Sequence, residues 1–553
     1  MLVAETLFQA SLGRGSKEVE LTEIQGLPGD AAYALARTGD AEGAVVALER
    51  GRARLLAEAL EQNRRDLERL PELSHGDLLE HYRAAADRIQ ALQGQAAGPV
   101  TGRSGEPAPQ RDFGALERDI DAAKSELDAA IAAIRQVKVD GRRPYADFLL
   151  PPAFEKIQQA AAPDAPLVYL VTTSAGSLAL VVRDRTSEVS GTSKVSAVWL
   201  DGFSEPDLDA ILFDADGEGR YLRGAFGGDE VALTRSLSQA LPLLGERLLG
   251  PLAEHLDALG VAQVVLIPAG RLALMPLHVA PLAHGRTFQD RFGLAYAPSA
   301  LALARSREPR QKPGQPLLAV GNPNPEDRLD IALLFTQLLV AEVSRLVPAG
   351  SSLARGGATV AAVQAALAQS PAHLLFGCHA VYEVAEPLRS GLELADGRLT
   401  LGQILDWVRL PATELVVLCA CQSSLSDFRN LPDEAVGLPA GFLQAGASGV
   451  VAALWPVAAL PAVLLLRSFY NRLLAGESPA AALSHSESWL RDLDQLTFDR
   501  EVAALCRLAD PQTAFYLELM AGAYAGEHPF ASPIFWAAFT FNGALASEGG
   551  SHV

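Results

Sequence analysis

Cysteine is scarce in this sequence. Only Cys378, Cys419, Cys421 and Cys506 occur in 553 residues, too few for a disulfide scaffold in a chain this long. A reducing, cytoplasmic setting is the simpler expectation. Positive charge is also in short supply: 46 Lys and Arg face 66 Asp and Glu, for a net charge of -20. Such a chain repels phosphate backbones, so nucleic acid is not an expected partner. The opening stretch, MLVAETLFQASLGRGSKEVEL, lacks a charged leader followed by an apolar block, and no secretory signal is expected. Only the run from Gly449 to Leu466, GVVAALWPVAALPAVLLL, meets the length screen for a membrane span. Pro456 and Pro461 punctuate it. It reads better as a buried strand, a turn and the first turns of a helix that continues into RSFYNRLL, and no membrane partner is expected.

What the chain does have is apolar mass. Hydrophobic residues make up 49% and charged residues 20%, as in a globular protein with a large core. The length allows two to four domains. Residues 1–93 are expected to form a helical arm. Asp30 precedes one helical stretch, Gly39-Asp40 makes a turn, and a long helix is expected over 41–62, AEGAVVALERGRARLLAEALEQ. The pair is similar to one tetratricopeptide-type unit, although stacked repeats need neighbours to bury their faces. A third helix is expected over 77–93. Residues 94–112, rich in Gly, Pro and polar residues, read as a flexible linker. Connecting helices are expected over 113–164, the first spanning 113–137.

Beyond about residue 164 the texture changes. PLVYLVTT and SLALVVRD flank Ser174-Ala175-Gly176 and predict a hairpin. Strands are expected at 195–199, 262–267, 316–320, 373–377, 414–420 and 448–454. They alternate with helices at 230–258, 331–346, 359–369, 399–409, 436–445, 459–475 and 479–493. Continuous apolar strands alternating with helices predict an α/β fold, its sheet largely parallel and covered on both faces.

Two strand ends carry candidate chemistry. HLLFG runs into Cys378-His379-Ala380, and ELVVLCA runs into Cys421-Gln422-Ser423-Ser424. Open parallel sheets place their sites at the carboxyl ends of their strands. His379 and Cys421 lie 42 residues apart, and a helix between them permits neighbouring parallel strands. An imidazole beside a thiol stabilises the thiolate and later protonates a leaving amine. Backbone N–H groups near Ala380 and Cys421 are candidate oxyanion donors. Caspase-type enzymes place a His about 50 residues before the Cys. Each residue also has a plain reading: a strand-end Cys as a small buried apolar group, a loop His as a surface residue. Cys378, His379, Cys419 and Cys421 form a conceivable zinc set, but neighbouring and alternate positions on an extended strand point to opposite faces. No metal or other cofactor is expected.

On these and further motifs the chain, from about 165 to 545, resembles the CHAT family of caspase-like bacterial proteases, which is related to separase and often fused to tetratricopeptide repeats. HLLFGCHAVYEVAEPLRSGLELADGRLTLGQIL resembles the segment around the family's histidine, which implies His379. LVVLCACQSS resembles its cysteine strand, which implies Cys421 rather than Cys419. DEAVGLPAGFLQAGASGVVAALWPV resembles the family's helix and strand after the cysteine. FYNRLLAGESPAAAL and HPFASPIFWAAFTFNG resemble its later helix and its end. IPAGRLALMPLHVAPL and YAPSALALA resemble the non-catalytic half. The resemblance implies a caspase-like α/β fold with a non-catalytic half at 165–310 and a catalytic half at 311–553. It implies a regulated cysteine endopeptidase acting on protein substrates, with a regulatory protein or ligand acting through the arm. The alternative is a catalytically silent scaffold that recruits partners through that arm.

The sequence departs from the family in two places. Ala380 stands where a glycine usually follows the histidine; an alanine there would be strained if φ were positive. The segment after Trp455, Val457-Ala458-Ala459-Leu460-Pro461, lacks the acid used by relatives that cut after Arg or Lys. Asp427, Asp433 and Glu434 are candidate substitutes, and Ala458 and Ala459 candidate pocket residues. A small or apolar side chain is the expected occupant.

Overall fold

A computed structural model of the chain describes residues 25–52, 67, 70–97, 113–139, 141, 143–146, 148, 152–186, 193–213, 220–308, 310–324, 329–347, 349–383, 386–419 and 437–545. By contact the chain forms two units: Met1–Leu27 with Ala57–Ala153, and Pro28–Leu56 with Phe154–Val553. In the smaller unit the helices Gly76–Ala97 and Phe113–Gln136 pair through Tyr82, Ala130 and Ile134, joined by Tyr145 and Phe148. Of the expected linker, 94–97 is the end of the first of these helices, and 98–112 lies outside the described residues.

The larger unit holds fourteen described strands. In chain order they are β1 (Leu167–Thr173), β2 (Gly176–Val182), β3 (Val195–Leu200), β4 (Gln263–Pro268), β5 (Gly293–Tyr296), β6 (Gln315–Gly321), β7 (Ser351–Ala354), β8 (Pro371–Gly377), β9 (Ala380–Val381), β10 (Gly391–Leu394), β11 (Gly397–Thr400), β12 (Leu415–Leu418), β13 (Gly449–Ala453) and β14 (Phe539–Gly543). Eleven of them form one sheet, ordered β3-β2-β1-β4-β5-β14-β13-β12-β8-β6-β7. Its pairings are parallel except β1–β2, β2–β3 and β13–β14. The hairpin expected around Ser174-Ala175 is β1–β2, closed by the pair Thr173 and Gly176. The small sheet β11-β10-β9 fills the crossover between β8 and β12.

Alternation explains why the central strands are apolar throughout. Leu375, Val417, Cys419 and Val451 enter one core, with Leu334, Leu339 and Val343 of the helix Ile331–Leu346. Leu374, Phe376, Val416, Leu418 and Val450 enter another, with Val363, Ile404 and Phe442 of the helices Val360–Leu367, Leu401–Trp407 and Leu438–Ala445. Side chains on successive strand residues point to opposite faces, so both faces are covered by helices, as expected. The charge-free run at 449–466 is the buried strand β13 followed by the helix Ala459–Leu474. No helix among the described residues is long and apolar enough to cross a membrane.

Some elements differ from the sequence reading. The long helix expected over 41–62 ends at Gly51. A Cβ on Gly51 would lie 2.0 Å from that of Pro28, so this turn needs glycine's bare backbone. Arg52 then turns extended, and its buried guanidinium donates to the carbonyls of Pro268 and Pro298. Residues 53–66 lie outside the described residues. The helices Leu27–Arg37 and Ala41–Gly51 pack within the sheet unit. Buried Glu49 accepts hydrogen bonds from the Tyr169 hydroxyl (2.6 Å) and from the N–H groups of Ala300 and Leu301. The helix expected at 399–409 begins at Leu401, because Gly397–Thr400 pairs with β10 and Thr400 then caps the helix in a box with Gln403.

Candidate functional site

Three parallel strands, β6, β8 and β12, lie side by side in the large sheet. β6 ends at Gly321 and β8 at Gly377, and these two glycines are register partners. A Cβ on Gly377 would come within 3.0 Å of the Thr336 Cβ, and one on Gly321 within 3.1 Å of the Val340 side chain. The bare backbones let the helix Ile331–Leu346 lie close against the carboxyl end of the sheet. The Thr336 hydroxyl donates to Gly377 O at 3.2 Å. Asn322 completes the joint: its N–H donates to Gly377 O (3.0 Å), its carbonyl accepts from the Arg355 N–H (2.9 Å), and its side-chain amide reaches Gln337 (2.8 Å). Its φ of 42° is a left-handed conformation that asparagine tolerates better than most residues.

His379 stands two residues past β8. Its side chain is 38% exposed, so the imidazole is open to solvent while being held on one side. Nε2 lies 2.8 Å from Asp330 Oδ2. Asp330 caps the helix Ile331–Leu346, its Oδ1 accepting from the Leu333 N–H at 3.1 Å. Burial pushes the Asp330 carboxyl up, but the hydrogen bonds from His379 and from backbone N–H groups of the first helical turn outweigh it and hold it below its ordinary value. A cleft of about 540 Å³ opens beside the imidazole. Leu333 and Leu394 line part of it. Arg398 lies at its wall, 2.9 Å from Glu383 and 3.6 Å from Glu393.

Ala380 begins β9, in extended backbone without a positive φ. The Glu393 N–H donates to His379 O (2.8 Å), and the next pair along is Ala380 with Leu392. Antiparallel ladders alternate hydrogen-bonded with non-hydrogen-bonded pairs, so the Ala380 N–H faces away from β10.

Strands β8 and β12 are neighbours, an arrangement that the sequence permitted without fixing the strand order. Their partners, His373 with Leu415 and Phe376 with Leu418, are each 42 residues apart, the same separation as His379 and Cys421. Cys421, Asp427, Asp433 and Glu434 lie outside the described residues. Ala458 and Ala459 open the helix Ala459–Leu474 and are not among the residues lining the His379 cleft. Cys378 and Cys419 are buried in cores on opposite faces of the sheet. His373 sits near the amino end of β8, its Nε2 3.7 Å from Glu414. Asp330 was absent from the sequence reading. Its one signal there is an acid directly before the apolar run IALLF, which reads as a helix cap and nothing more.

The architecture is an α/β fold whose largely parallel sheet is covered by helices on both faces. The family model for the CHAT domain matches residues 238–544, more than half of the chain. The chain therefore belongs to the CHAT domain family. Among curated proteins it is similar to human tetratricopeptide repeat protein 28, with 26% identity over 287 residues, covering 43% of this chain and 11% of that protein. The chain thus spans about a tenth of that relative's length. Among solved structures it is similar to the Saccharomyces cerevisiae separase–securin complex, with a TM-score of 0.45 at 9% identity, covering 96% of this chain and 40% of that one. It is also similar to the Arg-specific cysteine proteinase gingipain R, with a TM-score of 0.34 at 8% identity, covering 61% and 74%.

Proposed function

We propose that this chain is a regulated cysteine endopeptidase with Cys421 as nucleophile and His379 as general base and acid. The observation that supports it most is the pairing of β8 with β12 at a 42-residue separation. It brings the chain leaving both strands to one edge, where His379 stands exposed beside a cleft. In this reading the thiol gives its proton to the imidazole as sulfur bonds the substrate carbonyl carbon. The oxyanion is held by backbone N–H groups at Ala380 and Cys421, and the outward-facing N–H of Ala380 suits that role. His379 then protonates the leaving amine, and water hydrolyses the thioester.

For specificity, the segment Val457–Pro461 carries no acid, so a small or apolar side chain is the proposed occupant, with Ala458, Ala459 and the segment bearing Asp427, Asp433 and Glu434 as candidate walls. A protein or ligand acting through the N-terminal helices is the proposed regulator. The test is mass-spectrometric mapping of cleavage in a proteome-derived peptide library, with and without a cell lysate, comparing wild type with Cys421→Ala and Cys419→Ala. Cleavage is expected to vanish in Cys421→Ala and to persist in Cys419→Ala. His379→Ala is expected to abolish it and His373→Ala to retain it. Absence of any Cys421-dependent cleavage, lysate included, would favour a scaffold that recruits partners.

A further inference from the structure

We propose that Asp330 is a positioning residue that fixes the tautomer of His379 and leaves Nδ1 as the nitrogen that exchanges protons. The inference rests on the peptidase reading for its catalytic consequence, but its structural part stands on the described geometry.

Asp330 has two carboxylate oxygens with two separate tasks. Oδ1 accepts from the Leu333 N–H and closes the helix; Oδ2 faces His379 Nε2 at 2.8 Å. An ionised carboxylate only accepts, so Nε2 must carry a proton, and in the neutral ring Nδ1 then presents its lone pair. The carboxyl is held below its ordinary value and stays ionised at neutral pH, which keeps this tautomer in force. Among the described residues, the other charged side chains lining the cleft beside His379 are Glu383, Glu393, Arg389 and Arg398. They are two acids and two bases. Arg398 engages both glutamates and Arg389 lies 3.4 Å from Glu386. Among these, Asp330 is the acid that contacts the ring.

The chemistry follows from the locked tautomer. With Nε2–H donated to Asp330, Nδ1 takes the Cys421 thiol proton as sulfur bonds the carbonyl carbon. It returns that proton to the leaving nitrogen as the carbon–nitrogen bond breaks, so the ring ends neutral. Asp330 gains and loses no proton, and it stabilises the imidazolium between the two steps.

Asp330→Asn separates the helix cap from the tautomer lock, because asparagine caps a helix about as well as aspartate. If its carbonyl oxygen keeps the Leu333 N–H, its NH₂ group faces Nε2. That ring nitrogen must then accept, and the proton moves to Nδ1. The experiment is nitrogen NMR of the full-length protein carrying ¹⁵N-labelled histidine, with His379→Gln used to assign the signal, alongside peptide-cleavage kinetics. Wild type is expected to show His379 protonated at Nε2 in its neutral form, and Asp330→Asn to show it at Nδ1. The kcat is expected to fall about 100-fold or more with KM within about threefold, as for a wrong-tautomer histidine. An unchanged tautomer, or unchanged kcat in Asp330→Asn, would overturn the proposal. If the tautomer switches but wild type cleaves nothing, the positioning of His379 holds and the peptidase reading is what fails.

Discussion

Ala380 shows how much a single replacement depends on backbone conformation. A glycine is needed after His379 only where φ is positive, and here the residue opens a short strand paired with Leu392. In extended backbone a methyl group costs nothing, and alanine loses less conformational freedom on folding than glycine. Ala380→Gly is therefore expected to leave kcat/KM within about threefold of wild type and to lower stability by about 0.5–1 kcal/mol. Steady-state kinetics and urea denaturation read the two effects. A tenfold gain in activity would mean that the methyl group blocks the place where the oxyanion forms. Asp330 makes the opposite point. A residue unremarkable in sequence can hold two contacts at once, one within its helix and one to a strand end 49 positions later.

The helix Ile331–Leu346 reaches His379 because Gly321 and Gly377 lie side by side under it. Gly377→Ala would set a methyl group against Thr336 and Val340, on the same helix that Asp330 caps. Overpacking of this kind costs about 1–3 kcal/mol. The expected result is a drop in stability of that order and a loss of peptidase activity of about tenfold or more, since a shift near 1 Å in a supporting element is costly to catalysis. Full activity in a destabilised Gly377→Ala protein would show that the spacing of helix and sheet does not govern the site. At this scale much of the fold was legible in advance. β6, β8, β12 and β13 are rich in apolar residues because helices cover both their faces, and the spacing permitted β8 and β12 as neighbours without fixing their order. The small sheet β9–β11 was not, because strands of two to four residues are too short to show a period. The end of the helix at Gly51 depends on Pro28 and on carbonyls more than 200 residues away, which no local pattern encodes.

Across the sheet unit, stability should carry the mark of one buried polar pair far along the chain from His379. His278 sits on a short turn after β4, with Nδ1 3.0 Å from the Tyr296 hydroxyl of β5, and its Nε2 lies 3.9 Å from Oε1 of Glu487 on the helix Pro479–Arg491. The other Glu487 oxygen accepts from Gln289 at 2.8 Å. Burial lowers His278 to about 3. Burial likewise raises Glu487 well above the ordinary carboxylate range, despite the hydrogen bond from Gln289. The two slopes have opposite signs. Between about 3 and its ordinary value of 6.5 the unfolded chain protonates His278 and the folded chain does not, so that contribution is lost as pH falls. Above the ordinary Glu value the folded chain keeps a proton on Glu487 that the unfolded chain has released, so stability falls as pH rises. Near pH 5–6 the slopes oppose each other, and above about pH 6.5 the Glu487 slope stands alone, at most about 1.4 kcal/mol per pH unit. Glu487→Gln keeps the shape and the hydrogen bond to Gln289 and removes the titration. Urea denaturation at pH 5.5, 7.0 and 8.5 should show the variant gaining on wild type as pH rises. A difference that stays constant across the three would mean that Glu487 is already ionised in the folded state over this range, so that burial does not hold its proton.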